Sequence, residues 1–357
     1  MGYCKRIYRI HVTIMNIKNF NMRKTIIAVF VFLTVGNTVF GQDPYFSQYF
    51  MSPSTLNPAL IGKGVSNMRV MSVYRSQWWG ASPSAFTTYT ASAEMRLFKK
   101  DSDTSQFTLG ITAMSDASNS GLLKNNYFSA GLNYDQPLDY GKSQLSLGFT
   151  IGYGNRIIDA TKTRFQSSFG SLGYNAFTPS NDAVSMAKRN YFDVSTGVQY
   201  SYNSKKWGVT AGAGVFHIAQ PNEFKYSNTE NTLKLRYTAN ASLVKKYEGG
   251  DELYLMGAYT NHGINNIVTL GSMYKFKFAD QHMLDWFNVG VFDRINDAYI
   301  GYLGFEQKAW SFGFSYDMIN SDVQTFYNSV QSMEFSLGWK VPTKKRAVKV
   351  SDRFNVF

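Results

Sequence analysis

From about residue 66 to residue 341 the chain repeats segments of roughly ten residues in which apolar or aromatic side chains alternate with small or polar ones. Leu145, Leu147, Phe149, Ile151 and Tyr153 interleave with Ser146, Gly148, Thr150, Gly152 and Gly154; Phe192, Val194, Thr196, Val198 and Tyr200 interleave with Asp193, Ser195, Gly197, Gln199 and Ser201. Side chains on a strand point to opposite faces with period two, so each segment carries one apolar and one wet face. Strands of soluble sandwiches average about five or six residues. A tilted crossing of a bilayer needs about 9–11. The pattern predicts an all-β fold, a transmembrane antiparallel β-barrel.

Fourteen strands are expected, near 66–78, 85–98, 105–116, 126–138, 144–156, 191–201, 206–216, 232–246, 251–260, 265–277, 283–293, 297–306, 309–318 and 333–341. An even count puts both barrel ends on one side, the periplasmic side in outer-membrane barrels, and both chain termini are expected there. Alternate connections are short: 99–104, 139–143, 202–205, 247–250, 279–282 and 307–308. The intervening ones include 117–125, 157–190, 217–231 and 319–332, and the long ones stay in phase. The 157–190 connection spans 34 residues, with a short helix expected over Asn181–Arg189. Trp78, Trp79, Trp207, Trp286, Trp310 and Trp339 fall near strand ends, as interfacial aromatics do. Arg75, Arg96, Asp193, Asp317 and Glu334 must face the lumen, because Lys or Arg on the lipid face at mid-depth costs about 2–4 kcal/mol. Such an interior holds either water or a plug.

Ahead of the barrel, Arg23 and Lys24 precede an apolar run from Ile26 to Val35, and Val39-Phe40-Gly41 ends in residues suited to signal peptidase. The expected division is a removed extension and signal peptide (1–41, starting from Met1 or Met22), a leader or plug (42–65), the barrel (66–341) and a basic tail (342–357). The chain holds 36 Lys+Arg against 24 Asp+Glu, but six of the basic residues precede Gln42 and six more lie from Lys340 onward. Little net charge is left for the barrel itself, which argues against nucleic acid as a partner. The single cysteine, Cys4, lies in the segment expected to be removed, so no disulfide, thiolate metal site or lipidated N-terminal Cys is expected.

Catalytic signals are weak. His217, His262 and His282 lack metal-ligand spacing, Gly208–Gly214 is alternating strand rather than a phosphate loop, and Asp101 and Asp103 form an isolated pair in a turn. Neither enzyme activity nor a cofactor is expected. The leader Gln42–Gly62 is richer in information. It is aromatic and broken by Pro44, Pro53 and Pro58, which exclude a long helix and leave room for about one helical turn around 46–51. Disordered leaders are poor in aromatics, so this one is read as ordered, as a plug or a docking surface.

Asp43-Pro44, Phe46-Ser47-Gln48-Tyr49, Pro53, Leu56-Asn57-Pro58-Ala59 and Gly62 resemble the opening of the PorP/SprF family of outer-membrane proteins of the type IX secretion system in Bacteroidetes. Tyr74-Arg75-Ser76-Gln77-Trp78, Gly313-Phe314-Ser315-Tyr316-Asp317 and Glu334-Phe335-Ser336-Leu337 extend the resemblance to the first and last strands. It differs at the end of the chain, which lacks the Cys-Pro-Arg element of many relatives. The resemblance implies a non-enzymatic outer-membrane barrel that supports export or surface attachment of adhesin-like proteins bearing a C-terminal sorting domain. Its implied partners are type IX components, that secreted protein and outer-membrane lipid. Tyr45, Phe46, Gln48, Tyr49, Asn57 and Pro58 in the leader, with Lys344, Lys345 and Arg346 in the tail, are the candidate partner contacts. The alternative is a FadL-like transporter of small hydrophobic molecules, whose hatch carries a stretch comparable to Asn57-Pro58-Ala59. That reading needs an apolar lumen, whereas the inward faces read mainly Gly, Ser, Thr and Asn.

Overall fold

The computed structural model describes residues 43–341 except 66, 80–84, 98–104, 119–121, 140–141, 160–168, 171–172, 175–186, 227–228, 279–283, 322–323 and 325–329. The expected signal peptide, the tail with Lys344, Lys345 and Arg346, and the turn at 99–104 lie largely or wholly outside that set. Fourteen strands close into one antiparallel barrel: β1 Met68–Trp79, β2 Phe86–Arg96, β3 Gln106–Ser118, β4 Leu123–Leu138, β5 Ser143–Ile158, β6 Ala187–Asn203 and β7 Trp207–Phe216. The circuit continues through β8 Arg236–Lys246, β9 Glu252–His262, β10 Asn265–Lys277, β11 Trp286–Arg294, β12 Ala298–Gln307, β13 Trp310–Ile319 and β14 Gln331–Lys340. Each is the expected strand within a few residues. Neighbours in sequence pair in space, and β1 pairs with β14 from Arg69↔Lys340 to Ser76↔Met333. That closure leaves no unpaired strand edge, which is what a bilayer without water to satisfy backbone groups demands.

The wall follows the alternation. On β5, Leu147, Phe149 and Ile151 are 53%, 46% and 53% exposed while Ser146 and Thr150 are buried against the lumen contents. Val198 on β6 faces outward in the same way. Trp207, Trp286 and Trp310 each open a strand at the same end of the barrel, where Trp339 nearly closes β14; Trp310 and Trp339 lie 6.2 Å apart between ring centroids.

The end where β1 begins and β14 finishes carries turns at 139–142, 204–206, 247–251 and 308–309. Asp139, Gly250 and Lys308 take positive φ there, as tight hairpins require. The opposite end carries the connections 159–186, 217–235 and 320–330 together with the short ones at 263–264 and 295–297. A small hairpin, Asn222–Tyr226 with Thr229–Thr232, stands in the second of these. The helix expected over Asn181–Arg189 is corrected at its far end. Ala187–Arg189 is strand, paired with Arg156–Ile158, because β5 and β6 run on past the wall as a long two-stranded ribbon; 181–186 lie outside the described residues.

Folded protein should migrate faster than boiled protein on gels. Phe149→Arg or Val198→Arg should abolish that heat-modifiable band, whereas Phe149→Leu should keep it; normal assembly of both Arg variants would place these residues on the wrong face.

Candidate functional site: the occupied lumen

Proline and glycine make the leader compact enough to fit inside. Three single turns follow one another: a 3-10 turn Tyr49–Met51, an α turn Pro53–Leu56 and a 3-10 turn Pro58–Leu60, the last two opened by their prolines. The expected turn at 46–51 is thus present at its second half, and two more follow. Asn57 caps the third turn, its Oδ1 accepting from the Ala59 amide at 2.9 Å. Gly62 and Gly64, at φ +81° and +68°, turn the chain into β1.

The leader lies within the barrel, so the docking face expected at the periplasmic mouth is an internal plug. Phe46, Gln48, Tyr49, Asn57 and Pro58 are all buried, and Tyr45 is held between two guanidiniums. Aromatic content marks a segment that packs; it does not say against what.

Four buried charges hold the first half of the plug. Arg75 on β1 pairs with Glu334 on β14 and lies 3.4 Å from Asp317 on β13, which Arg294 on β11 contacts at 2.8 Å. Ser47 sits at their centre. Its Oγ donates to Asp317 at 2.7 Å and accepts from Arg75 at 2.7 Å and Arg294 at 2.9 Å. The Ser47 and Gln48 amides donate to the two Glu334 carboxylate oxygens at 2.6 and 2.8 Å. Gln48 adds bonds to Ser315 and Ser336. Arg75 and Arg294 lie 5.1 and 4.9 Å from the Tyr45 ring centroid. Asp297, partly exposed, adds a third carboxylate on Arg294, and the pairing of each cation with carboxylates is what allows these ionised groups to be buried together.

Asn57 holds the second half. Its Nδ2 donates to Val198 O and Asn240 Oδ1, each at 3.1 Å. Close approach there depends on glycine. Gly148, Gly197 and Gly214 are in register on β5, β6 and β7; a Cβ on Gly148 would overlap the Pro58 carbonyl, and one on Gly197 would overlap Asn57 Oδ1. Lower down, Lys63 bonds Asp135 and Gln144, each at 2.9 Å, and the Gly62 amide donates to Glu94, which also takes Arg69. Between plug and wall, Phe50, Leu56 and Leu60 meet Val244, Met256, Phe292, Ile300 and Tyr302.

The start of the leader is tied at the far end. Asp43 accepts from His217, just past β7, at 2.7 Å and lies 3.3 Å from Arg236 at the head of β8; the other nitrogen of His217 meets Asp193 at 2.9 Å. His262 stacks on His217 at 5.5 Å. The leader therefore runs the length of the lumen. The first and last strand ends lie on one side of the barrel, and Asp43 lies on the other, among the long connections. Burial opposes the charge on His217, yet the Asp43 charge and the hydrogen bonds His217 donates to Asp193 and Asp43 outweigh it and lift its pKa to about 9.

Residues 38–339 match the family described as type IX secretion system membrane protein PorP/SprF. The chain belongs to that family. As a PorP/SprF protein it is an outer-membrane β-barrel. Among solved structures, the toluene transporter TbuX of Ralstonia pickettii is similar at 9% identity, covering 80% of this chain and 92% of its own, with a TM-score of 0.45. A Pseudomonas aeruginosa FadL homologue gives 11%, 85%, 95% and 0.47. The transport unit of the Escherichia coli autotransporter AIDA-I gives 11%, 88%, 97% and 0.40. No curated protein matches the chain in sequence.

The PorP/SprF motifs converge: Ser47, Gln48, Arg75, Asp317 and Glu334, drawn from four separated stretches, build one cluster. Asp43 belongs to the family's opening and Asp193 to the inward charges, but Arg294, Lys63 and the joining of Asp43 to Asp193 through His217 were not marked by the sequence. An inward charge in register with others was the available signal for Arg294; nothing in the spacing of His217 pointed to Asp43, 174 residues away.

Glu334→Gln should cost about 3–5 kcal/mol, because it leaves Arg75 buried without its partner. Combining Arg75→Met with Glu334→Leu removes one charge of each sign and should restore the heat-modifiable band while freeing the leader, read as new protease cleavage near Tyr45. For His217, a folded pKa of about 9 against an ordinary value of 6.5 means the stabilisation is complete below about pH 6.5 and fades as pH rises through 9. It amounts to about 3 kcal/mol at most. The melting temperature should therefore fall between pH 7 and pH 10, and His217→Gln should remove that step.

Proposed function

We propose that this PorP/SprF barrel supports export or surface attachment of an adhesin-like protein bearing a C-terminal sorting domain, working with other type IX components and not as an open pore. The observation that carries this reading is the leader itself: it spends the motif residues that mark the family on closing the lumen. A diffusion pore gains nothing from a plug fixed by four buried charges. A barrel that serves a protein partner at its mouths does, since the outer membrane stays sealed whether or not the partner is bound.

In this reading Tyr45, Phe46, Gln48, Tyr49, Asn57 and Pro58 act through the plug, by holding it and so shaping the mouths a partner meets. Lys344, Lys345 and Arg346 supply charge that steers a periplasmic partner at the short-turn end. The short-turn end faces the periplasm and the long connections face outward.

Two measurements test this. An epitope tag near Ser180 should be labelled on intact cells; labelling only after permeabilisation would invert the orientation. Replacing Gly148 by Val should push the plug away from the wall. It should leave a heat-modifiable barrel that admits vancomycin and loses most surface-displayed adhesin. A variant that leaks yet displays its adhesin normally would show that plugging and partner support are separate.

A further inference from the structure

The short-turn end carries lysines on both sides of the wall, and the two sides differ. Inside, beyond Phe50 and Met51, lies a cavity of about 190 Å³ lined in part by Met71, Met256 and Met273. This corrects the expectation of a uniformly small, polar lumen: β9 to β12 carry apolar side chains on both faces, so alternation alone could not show that their inward face is apolar too. Inward lysines at this level have partners, Lys275 with Glu306 and Lys246 with Asn203, each at 2.7 Å.

Lys245, one residue earlier on β8, points the opposite way, toward lipid. It is exposed and lies directly across from Trp207, which opens β7. Its Nζ stands 5.8 Å from the Trp207 ring centroid and 5.0 Å from that of Tyr247. Rings continue along this level through Tyr274 and Phe276, as they do at headgroup depth. The turn between β6 and β7 adds Lys205 and Lys206, both exposed, and the Lys206 carbonyl accepts from the Lys246 amide at 2.8 Å, which sets this turn beside the end of β8. Among the described residues Lys205, Lys206 and Lys245 form no ion pair, although Glu248 stands on the next turn. Farther along the same rim, Asp251 and Asp285 accept from the backbone amides of Lys277 and Lys308, so an acid stands beside each of those lysines. Toward the middle of the wall, the outward residues below Lys245 are exposed and apolar: Val209, Leu243 and Leu255.

We propose that this outward face, where the β6–β7 turn meets the end of β8, binds an anionic phospholipid of the phosphatidylglycerol class. Its phosphate lies among Lys205, Lys206 and Lys245, and its acyl chains run along Val209, Leu243 and Leu255. The occupant has to be amphiphilic, because the cations adjoin an apolar surface that faces the bilayer. It has to carry net negative charge, because in a zwitterionic headgroup the phosphate is already offset by its own ammonium. Basic residues beside a membrane-spanning segment attract such lipids, and screening confines the attraction to about 8 Å at cellular salt, so the adjacent lysines set it. Trp207 and Tyr247 hold the Lys245 ammonium at headgroup depth while its stem stays against the wall. Placing the site in the periplasmic leaflet rests on the orientation proposed above; the binding itself does not.

The test delipidates the full-length protein in detergent, adds phosphatidylglycerol or phosphatidylcholine with the same acyl chains, and measures retained lipid by native mass spectrometry. Phosphatidylglycerol should be retained at least fivefold more than phosphatidylcholine. Lys206→Gln combined with Lys245→Gln should abolish that preference, while Lys277→Gln combined with Lys308→Gln, equal in charge on the same rim, should leave it. The heat-modifiable band should persist in both. Should the first pair fail to assemble, Lys245→Met alone, which keeps the unbranched stem, should cut the preference at least twofold. Equal retention of the two lipids, or a preference untouched by the Lys206 and Lys245 variants, would overturn the site. So would displacement of the lipid by glycerol phosphate, which describes a free-phosphate site, or stronger retention of lipid A, which assigns the patch to lipopolysaccharide. Adhesin display by the same variants reads partner support separately, and is expected to be unchanged.

Discussion

The Arg75–Glu334 pair ties together what a barrel and a plug would otherwise settle separately. These residues are cross-strand partners on the seam that closes β1 onto β14. The same Glu334 carboxylate receives two leader amides. Seam closure therefore completes the leader's binding site, and the leader satisfies a carboxylate that the seam has buried. With Asp317, Arg294 and the partly exposed Asp297 the cluster pairs each cation with carboxylates, and a set of this kind tolerates the loss of a matched pair far better than the loss of one member. Its worth lies less in net stability than in register: a one-residue slip at the seam would part Arg75 from Glu334 and turn one of them toward lipid.

From that anchor the rest of the lumen follows. Asn57 and the in-register glycines at 148, 197 and 214 form a second seat on the opposite wall, where Gly148 admits the Pro58 backbone and Gly197 the Asn57 side chain. Lys63 with Asp135, and Asp43 with His217, fix the two ends. Apolar packing around Phe50 and Leu60 fills the space between. The polar anchors choose one position for the leader, and the apolar contacts make that position favourable. What stays empty is the region between Phe50 and the short-turn mouth, where the wall is apolar inside and carries charges of both signs at the rim.

A plug held this way constrains function. The barrel can display its mouths to a partner while the membrane stays closed, which fits a secretion-system component better than a pore. The leader's start among the long connections also places a chemically distinct cluster there, Asp43 with His217, Asp193 and Arg236, at the end where long segments such as 217–235 emerge.

The sequence by itself determined the wall. A period of two sustained over fourteen segments admits one kind of closed structure in a bilayer, and the phase of the long connections located its two ends. Inward charges such as Asp317 and Glu334 were legible for the same reason, since lipid forbids them outside. Leader order was legible too, from its aromatics and prolines, but its address was not. Whether Tyr45 and Phe46 face a partner or a barrel wall depends on residues some 250 to 290 positions later in the chain. Pattern along a strand reports which face a side chain is on, whereas contact between the leader and the lumen is set by closure of the sheet. Only the tertiary structure decided that Ser47 would meet Asp317, that glycines on three strands would align beneath Leu56, Asn57 and Pro58, and that one sector of a mostly polar lumen would be lined by methionines.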